Sequence, residues 1–153
     1  MWIPPENADP VLYHAPTRKS VAFFGAVCPA DGRLVAQPAY PFNAEAFLTF
    51  LKLVLRHARP NRQIIIILDN ARYHHSAFLK PWLALHRRDM QLDFLPPYSP
   101  DLNPIERVWK LTRHLCTHNR YFSELEQLVA DVRERFIVWH RPNETLRRLC
   151  AII

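Results

Sequence analysis

Hydrophobic and polar positions along this 153-residue chain switch between a period of two and a period near 3.6. Residues 20–27 (SVAFFGAV) are rich in β-formers. An Asp31-Gly32 pair then precedes a second such run at residues 34–37, which predicts a hairpin. From Asn43 onward Phe47, Phe50, Leu51 and Leu55 recur at helical spacing, predicting a helix that Asn43 caps and that runs to about His57. Ile64–Leu68 (IIIIL) is a continuous apolar run of strand length. A strand apolar on both faces is expected to be covered on both, as in a parallel sheet flanked by helices. Residues 76–88 read as a helix with Pro81 as a kink or a late start, and residues 91–95 (QLDFL) as a strand ended by Pro96-Pro97. Residues 104–118 and 123–139 are two more predicted helices, with His118-Asn119-Arg120 between them. Pro142 stops the second, and a short basic tail (ETLRRLCAII) follows; residues 1–19 have no period and read as an irregular lead-in.

The predicted order is hairpin, helix, strand, helix, strand, helix, helix. That is a mixed α/β sheet with an antiparallel edge and a parallel centre, in one domain over residues 1–153. In open sheets of this kind, sites form beyond the carboxyl ends of the strands. Asp69 lies at such an end, where IIIIL runs into DNARYHHS. It is either half of an Asp-Asn turn pair or a ligand for something held there. In LPPYSPDLNPIERVWK, Asn103 suits an N-cap with Pro104 at the first helical position, and Glu106 falls in the first turn. Glu106 reads equally as the return arm of a capping box with Asn103.

In that helix Ile105, Val108, Trp109, Thr112, Leu115 and Cys116 should face the core, and Glu106, Lys110, Arg113 and Thr117 the opposite side. If residues 92–95 run parallel beside Ile64–Leu68, Asp69 and Glu106 meet at one sheet edge. Two carboxylates plus waters and substrate phosphates form a magnesium site. Two such ions about 3.5–4 Å apart clamp the attacking and leaving oxygens of a phosphodiester. The plainer readings are polar loop residues for His74 and His75 and a solvated helix face for Lys110 and Arg113.

Composition changes the picture in two respects. Apolar residues at 49% and charged residues at 22% are ordinary, but 20 Lys+Arg against 14 Asp+Glu leave a net charge of +6, which favours a polyanionic partner such as nucleic acid. Three cysteines (Cys28, Cys116, Cys150) share no CxxC spacing and read as reduced thiols rather than a zinc site or disulfide frame. The opening residues have no signal-peptide pattern and IIIIL is far too short to span a bilayer. The expected location is cytoplasmic, with no membrane partner.

Together, the D-N-x-x-x-H segment at Asp69–His74 and the P-P-Y-S-P-x-L-N-P-I-E-x-x-W segment ending at Trp109 resemble the catalytic domain of mariner-like DDE transposases, in their bacterial insertion-sequence branch. The resemblance extends from the hairpin to the THNRYF stretch. It implies an RNase H-like fold that cuts and joins double-stranded DNA, at element ends and target, with two Mg²⁺ (or Mn²⁺) ions. Asp69 would be the second acid of the triad and Glu106 the third, with 36 residues between them. Asn70 and His74 would be supporting or DNA-facing residues, and the loop at residues 97–103 would shape the pocket. In such transposases the first acid ends an opening strand ahead of the hairpin. Asp9, between prolines in ENADP, and Asp31, in the hairpin turn, are both misplaced for that role. The chain is therefore expected to lack the first central strand, the first acid and the upstream DNA-binding region.

The leading expectation is a transposase catalytic domain, nucleoid-associated and inactive or weak alone, acting as a homo-oligomer or completed by an upstream segment. Asp69 and Glu106 would ligate metal; Lys110, Arg113, Arg147 and Arg148 would contact phosphates. The alternative is a non-catalytic DNA-binding or regulatory remnant of a transposase. A phosphatase-like enzyme with Asp69 as nucleophile would want an acid two residues on, where Ala71 stands.

Overall fold

The computed structural model describes residues 21–118 and 120–151. The predicted irregular lead-in at residues 1–19 lies outside the described residues. Strands β1 (Phe23–Val27) and β2 (Leu34–Pro38) form the expected antiparallel hairpin, with Phe24 opposite Gln37 and Val27 opposite Leu34. Helix α1 (Ala44–Leu55) starts where Asn43 accepts a hydrogen bond from the Ala46 N–H at 2.8 Å. Strand β3 (Ile64–Leu68) pairs in parallel with β4 (Met90–Phe94). Between them two 3-10 turns, Arg72–His75 and Ala77–Leu79, lead into a short helix α2 (Lys80–Leu85). Pro81 sits in its first turn, so the late start is what forms. Helices α3 (Pro104–Thr117) and α4 (Leu125–Trp139) complete the predicted set.

The expected basic tail is a helix, α5 (Glu144–Leu149), and this corrects the sequence reading. Asn143 caps it, accepting from the Leu146 N–H at 2.9 Å, and Leu146 and Cys150 are buried. One apolar residue per turn was too little period to reveal so short a helix.

The hairpin is apolar on both faces because its residues alternate. Phe24 and Val35 face α1, packing on Phe47, Phe50 and Val54. Leu34, with Phe23 and Val27 beside it, faces α3 and α4, against Val108, Val132, Phe136 and Trp139. Trp109 lies over Gly25, where an added Cβ would come within 2.4 Å of the indole. Leu115, expected in the core, is half-exposed on α3.

The parallel pair is treated differently. Ile64, Ile66, Leu68, Met90 and Leu92 pack on the α1 side. Ile65 and Ile67 remain 55% and 50% exposed. The expectation that both faces of the IIIIL strand are covered therefore fails, because α3 and α4 lie over the hairpin. Among the described residues the two ladders are separate two-stranded sheets, and the single mixed sheet does not close. Among these residues no helix is long and apolar enough to cross a membrane.

The hairpin turn is tied to the C-terminal helix. Asn143 donates from its backbone to the Asp31 carbonyl at 2.9 Å and from its side chain to the Gly32 carbonyl at 2.7 Å. Gly32 has φ +74, and a Cβ there would lie 2.0 Å from the Asn143 carbonyl oxygen. Gly32→Ala combines left-handed strain with a backbone clash, and is expected to lower stability by about 3 kcal/mol or more in urea unfolding.

Beside this turn Arg33 lies 3.4 Å from His57 Nδ1, and the His57 and His140 rings are 5.3 Å apart. Burial, then the His140 and Arg33 charges, lower the His57 pKa, opposed by Asp31. The folded pKa is below the unfolded one, so the native state prefers neutral His57. That stability is complete above the unfolded value near 6.5 and is lost as pH falls from there. His57→Gln should therefore flatten the acid-side loss of stability, read as urea midpoints at pH 7.5 and 5.5.

Candidate active site

Parallel pairing places the ends of β3 and β4 at the same edge. Leu68 lies opposite Phe94, and the Leu95 N–H donates to the Leu68 carbonyl at 2.8 Å. Past that last rung the chains leave the sheet, and Asn70 spans the gap by donating its side-chain amide to the Leu95 carbonyl. The Asn70 side-chain oxygen in turn accepts from His75 Nε2 at 3.1 Å, whose ring stacks on Phe94 with centroids 4.1 Å apart. Both strand exits are thus held by one amide.

Asp69 is fixed by two donors. Its Oδ1 accepts from the Ala71 N–H at 3.0 Å and lies 3.0 Å from His74 Nδ1, which is also 3.1 Å from the Asp69 carbonyl oxygen. Both partners of that ring nitrogen are acceptors, so it carries the proton. His74 is buried against Phe47 and Tyr73, each 4.4 Å away between ring centroids. Burial pushes its pKa down, with the Asp69 contacts pulling the other way. Burial and then the Asp69 charge push the Tyr73 phenol up. Asp69 itself is 63% exposed, and no described residue hydrogen-bonds its Oδ2.

Glu106 reaches the same place from the first turn of α3. After Leu95 the chain passes Pro96 and Pro97 to Tyr98, a left-handed residue (φ +58) whose ring is fully exposed, then a 3-10 turn at Pro100–Leu102. Asn103 accepts from the Ile105 N–H at 3.4 Å, while its own N–H donates to the Pro100 carbonyl at 2.9 Å. The N–H that a capping box would offer Glu106 is already used. That expectation is corrected, and the Glu106 carboxylate is exposed with no hydrogen bond from a described residue. Asp69, Asn70, Tyr98 and Glu106 line one pocket of about 220 Å³.

The remaining expected residues are distributed less tightly. Lys110 and Arg113 stand exposed one and two turns along α3 from Glu106. Arg147 and Arg148 are in α5 and both bind the Glu144 carboxylate at 2.6 Å. Hydrogen bonds from Arg147 and then Arg148 hold Glu144 down to about 2. His74 turns inward, so of its two expected roles its position allows support of Asp69 and not contact with DNA. His75 was read only as a polar loop residue, and Tyr98 only as part of the loop at residues 97–103. Only the His-His doublet signalled the former, and nothing local signalled that an ordinary tyrosine would take a left-handed conformation.

A family model described as a DDE superfamily endonuclease matches residues 1–129. The chain belongs to that family. It is 34% identical over 107 residues to the uncharacterized protein y4pE/y4sA of Sinorhizobium fredii (strain NBRC 101917 / NGR234), across 70% of this chain and 76% of that one. It is 28% identical over 109 residues to the insertion element IS630 uncharacterized 39 kDa protein of Shigella sonnei, across 71% of this chain but 32% of the relative, so it spans about a third of that protein. Among solved structures, the Mos1 transposase catalytic domain with raltegravir and Mg superposes with TM-score 0.60 at 19% identity, over 85% of this chain and 68% of that chain. The Mos1 strand transfer complex gives 0.63 at 20%, over 98% and 44%. The fold of this DDE-family chain is thus the RNase H-like one of the mariner-type transposases.

Whether the edge suits a cation can be judged from its donors. Among the described residues no group of three or more His, Cys, Asp or Glu side chains converges on one point. The pocket nonetheless offers two exposed carboxylates with free oxygens and no basic side chain between them, a hard-oxygen set of the kind magnesium takes. The structural role of Asn70 is open to a direct check. Asn70→Ala should cost about 1–2 kcal/mol in urea unfolding. Asn70→Asp should cost at least as much, since it keeps the shape, loses the donor to Leu95 and adds a charge beside Asp69.

Proposed function

We propose that this chain is the catalytic part of an insertion-sequence transposase, using Asp69 and Glu106 to hold Mg²⁺ (or Mn²⁺) for cleavage and strand transfer of double-stranded DNA. The observation carrying this reading is the arrival of both carboxylates in one pocket from different elements, at the carboxyl edge of a parallel strand pair. Family membership and the Mg named with the Mos1 catalytic domain support the choice of cation.

On this reading each residue has a distinct task. Asp69 presents Oδ2, its Oδ1 being held by Ala71 and His74. Glu106 contributes from α3, and Asn70 keeps the two strand exits in register. Mg²⁺ held by these carboxylates would polarise the attacking water and neutralise charge on the phosphodiester. Lys110 and Arg113 attract the DNA backbone along α3, and the Arg147-Arg148 pair, its charge partly offset by Glu144, gives a weaker phosphate contact. Assembly as a homo-oligomer or with an upstream segment, and a cytoplasmic, nucleoid-associated location, complete the proposal.

The described pocket holds two carboxylates, which favours weak or absent cleavage by residues 1–153 alone and leaves a non-catalytic DNA-binding remnant as the second reading. Asp69→Asn in the longest transposase product that contains this chain should abolish Mg²⁺-dependent cleavage and leave DNA affinity within about twofold, measured at fixed salt. Cleavage that survives the substitution overturns the assignment. Absence of metal-dependent cutting in every such product, with salt-sensitive DNA binding kept, supports the remnant.

A further inference from the structure

We infer that His114 and His118 form a chelating pair for one borderline divalent transition ion such as Zn²⁺, separate from the carboxylate edge proposed for Mg²⁺. The segment His114-Leu115-Cys116-Thr117-His118 has H-x-x-x-H spacing. In a helix, residues four apart stand on one face, which is how the two histidines of helical zinc sites reach one ion. His114 lies in the last turn of α3, and His118 is the residue that ends the helix. Their rings are 5.1 Å apart between centroids, with planes 31° apart. His114 is exposed and His118 half-buried.

That separation is the one a shared ion requires. Two Zn–N bonds of about 2.05 Å, at a tetrahedral angle near about 109°, put the ring centroids about 5.2 Å apart. The backbone carrying the pair is already fixed. The His118 N–H donates to the Arg113 carbonyl at 3.2 Å, and the Thr117 hydroxyl donates to the same oxygen at 2.7 Å. Among the described residues neither imidazole has a hydrogen-bond or ion-pair partner, only the other ring beside it. Each neutral ring therefore has an unprotonated nitrogen to offer. Chelation needs little ordering beyond the two side chains.

The donors select the ion. Imidazole suits zinc, nickel and copper, whereas carboxylate and water suit magnesium. The negative end of the α3 dipole also favours a cation in this turn. Glu106 stands eight residues earlier. That is about 12 Å along the axis, so the carboxylate edge does not share the ion. Cys116, between the two histidines, is buried in the core with Val108, Val132 and Phe136, and is no third ligand. Hydrolytic zinc helices carry their glutamate base directly after the first histidine, where this chain has Leu115. The pair is therefore a clip with water in the remaining positions, not a second hydrolytic centre. It ties down the last turn of the helix whose first turn presents Glu106.

The test titrates ZnCl₂ into the whole, untagged 153-residue chain by calorimetry, with Mg²⁺ in excess. One Zn²⁺ should bind per chain and slow amide exchange at Thr117 and His118. His114→Ala and His118→Ala should each weaken binding about tenfold or more, because the second ligand of a chelate binds intramolecularly. Asp69→Asn should leave it unchanged. In the wild-type chain, paramagnetic Ni²⁺ should broaden the imidazole signals of His114 and His118 before those of any other histidine, a readout that needs no variant. No binding, wild-type affinity in either histidine variant, displacement by Mg²⁺ or loss in Asp69→Asn overturns the inference. So does half an ion per chain with dimers seen by light scattering, or earlier broadening at another histidine. None of these readouts uses DNA or cleavage, so their failure leaves the proposed activity untouched.

Discussion

Helix α1 holds this molecule in one piece. Among the described residues the hairpin and the β3–β4 pair share no rung of sheet. They meet instead through one core in which Phe47, Phe50, Leu51 and Val54 pack against Phe24 and Val35 on one side and Leu68, Leu79 and Met90 on the other. Removing a buried phenylalanine from such a core costs about 3–5 kcal/mol, whereas a single hydrogen bond contributes about 1 kcal/mol net. Apolar burial on one helix therefore outweighs any of the polar ties between elements. It also explains why the relative position of Asp69 and the hairpin is defined although no ladder joins them. Asp69 inherits its position from this packing, and Glu106 from α3, which packs on the other face of the hairpin.

The sequence disclosed some of these features and hid others for identifiable reasons. Elements whose signal is local were legible: Asn43 as a cap, the Asp31-Gly32 turn, the apolar stripe of α3 and the strand IIIIL all formed where the pattern put them. Helix α5 was not, because it depends on Asn143, which caps it while donating to Gly32, 111 residues earlier in the chain. The open face of Ile65 and Ile67 was also invisible. A run of isoleucines states that burial is favourable, and says nothing of whether a neighbour is there to provide it. The meeting of Asp69 and Glu106 at one sheet edge was legible because each sits at the end of a regular element, although spacing alone left turn and cap readings equally open for them. The inward turn of His74 was beyond reach, since side-chain contacts set it, whereas the pairing of Arg147 and Arg148 with Glu144, three and four residues apart, went unread only because α5 did.

The two readings of Asp69 with which the sequence began, turn former and ligand, do not compete. A carboxylate has about four acceptor positions. The Ala71 N–H and the His74 ring use Oδ1, so the turn is formed with one oxygen while Oδ2 stays free on the exposed side. Formation of the turn is what fixes the direction of the free oxygen. Its conformational entropy has already been lost on folding, so a cation bound there would not have to supply it again.

Glu106 differs in kind. Its side chain is longer, exposed, and without a donor among the described residues, because the Asn103 N–H that would have tied it goes to Pro100. Ordering a glutamate side chain costs up to about 1.5–2 kcal/mol. On the proposed reading, the pocket is therefore half prepared: one ligand is set by the fold, and the other is ordered only when something binds. The affinity for a cation would then be governed less by the number of carboxylates at the edge than by whatever restrains Glu106. The neighbours able to do so are Tyr98 and the proline-rich loop, which line the same pocket.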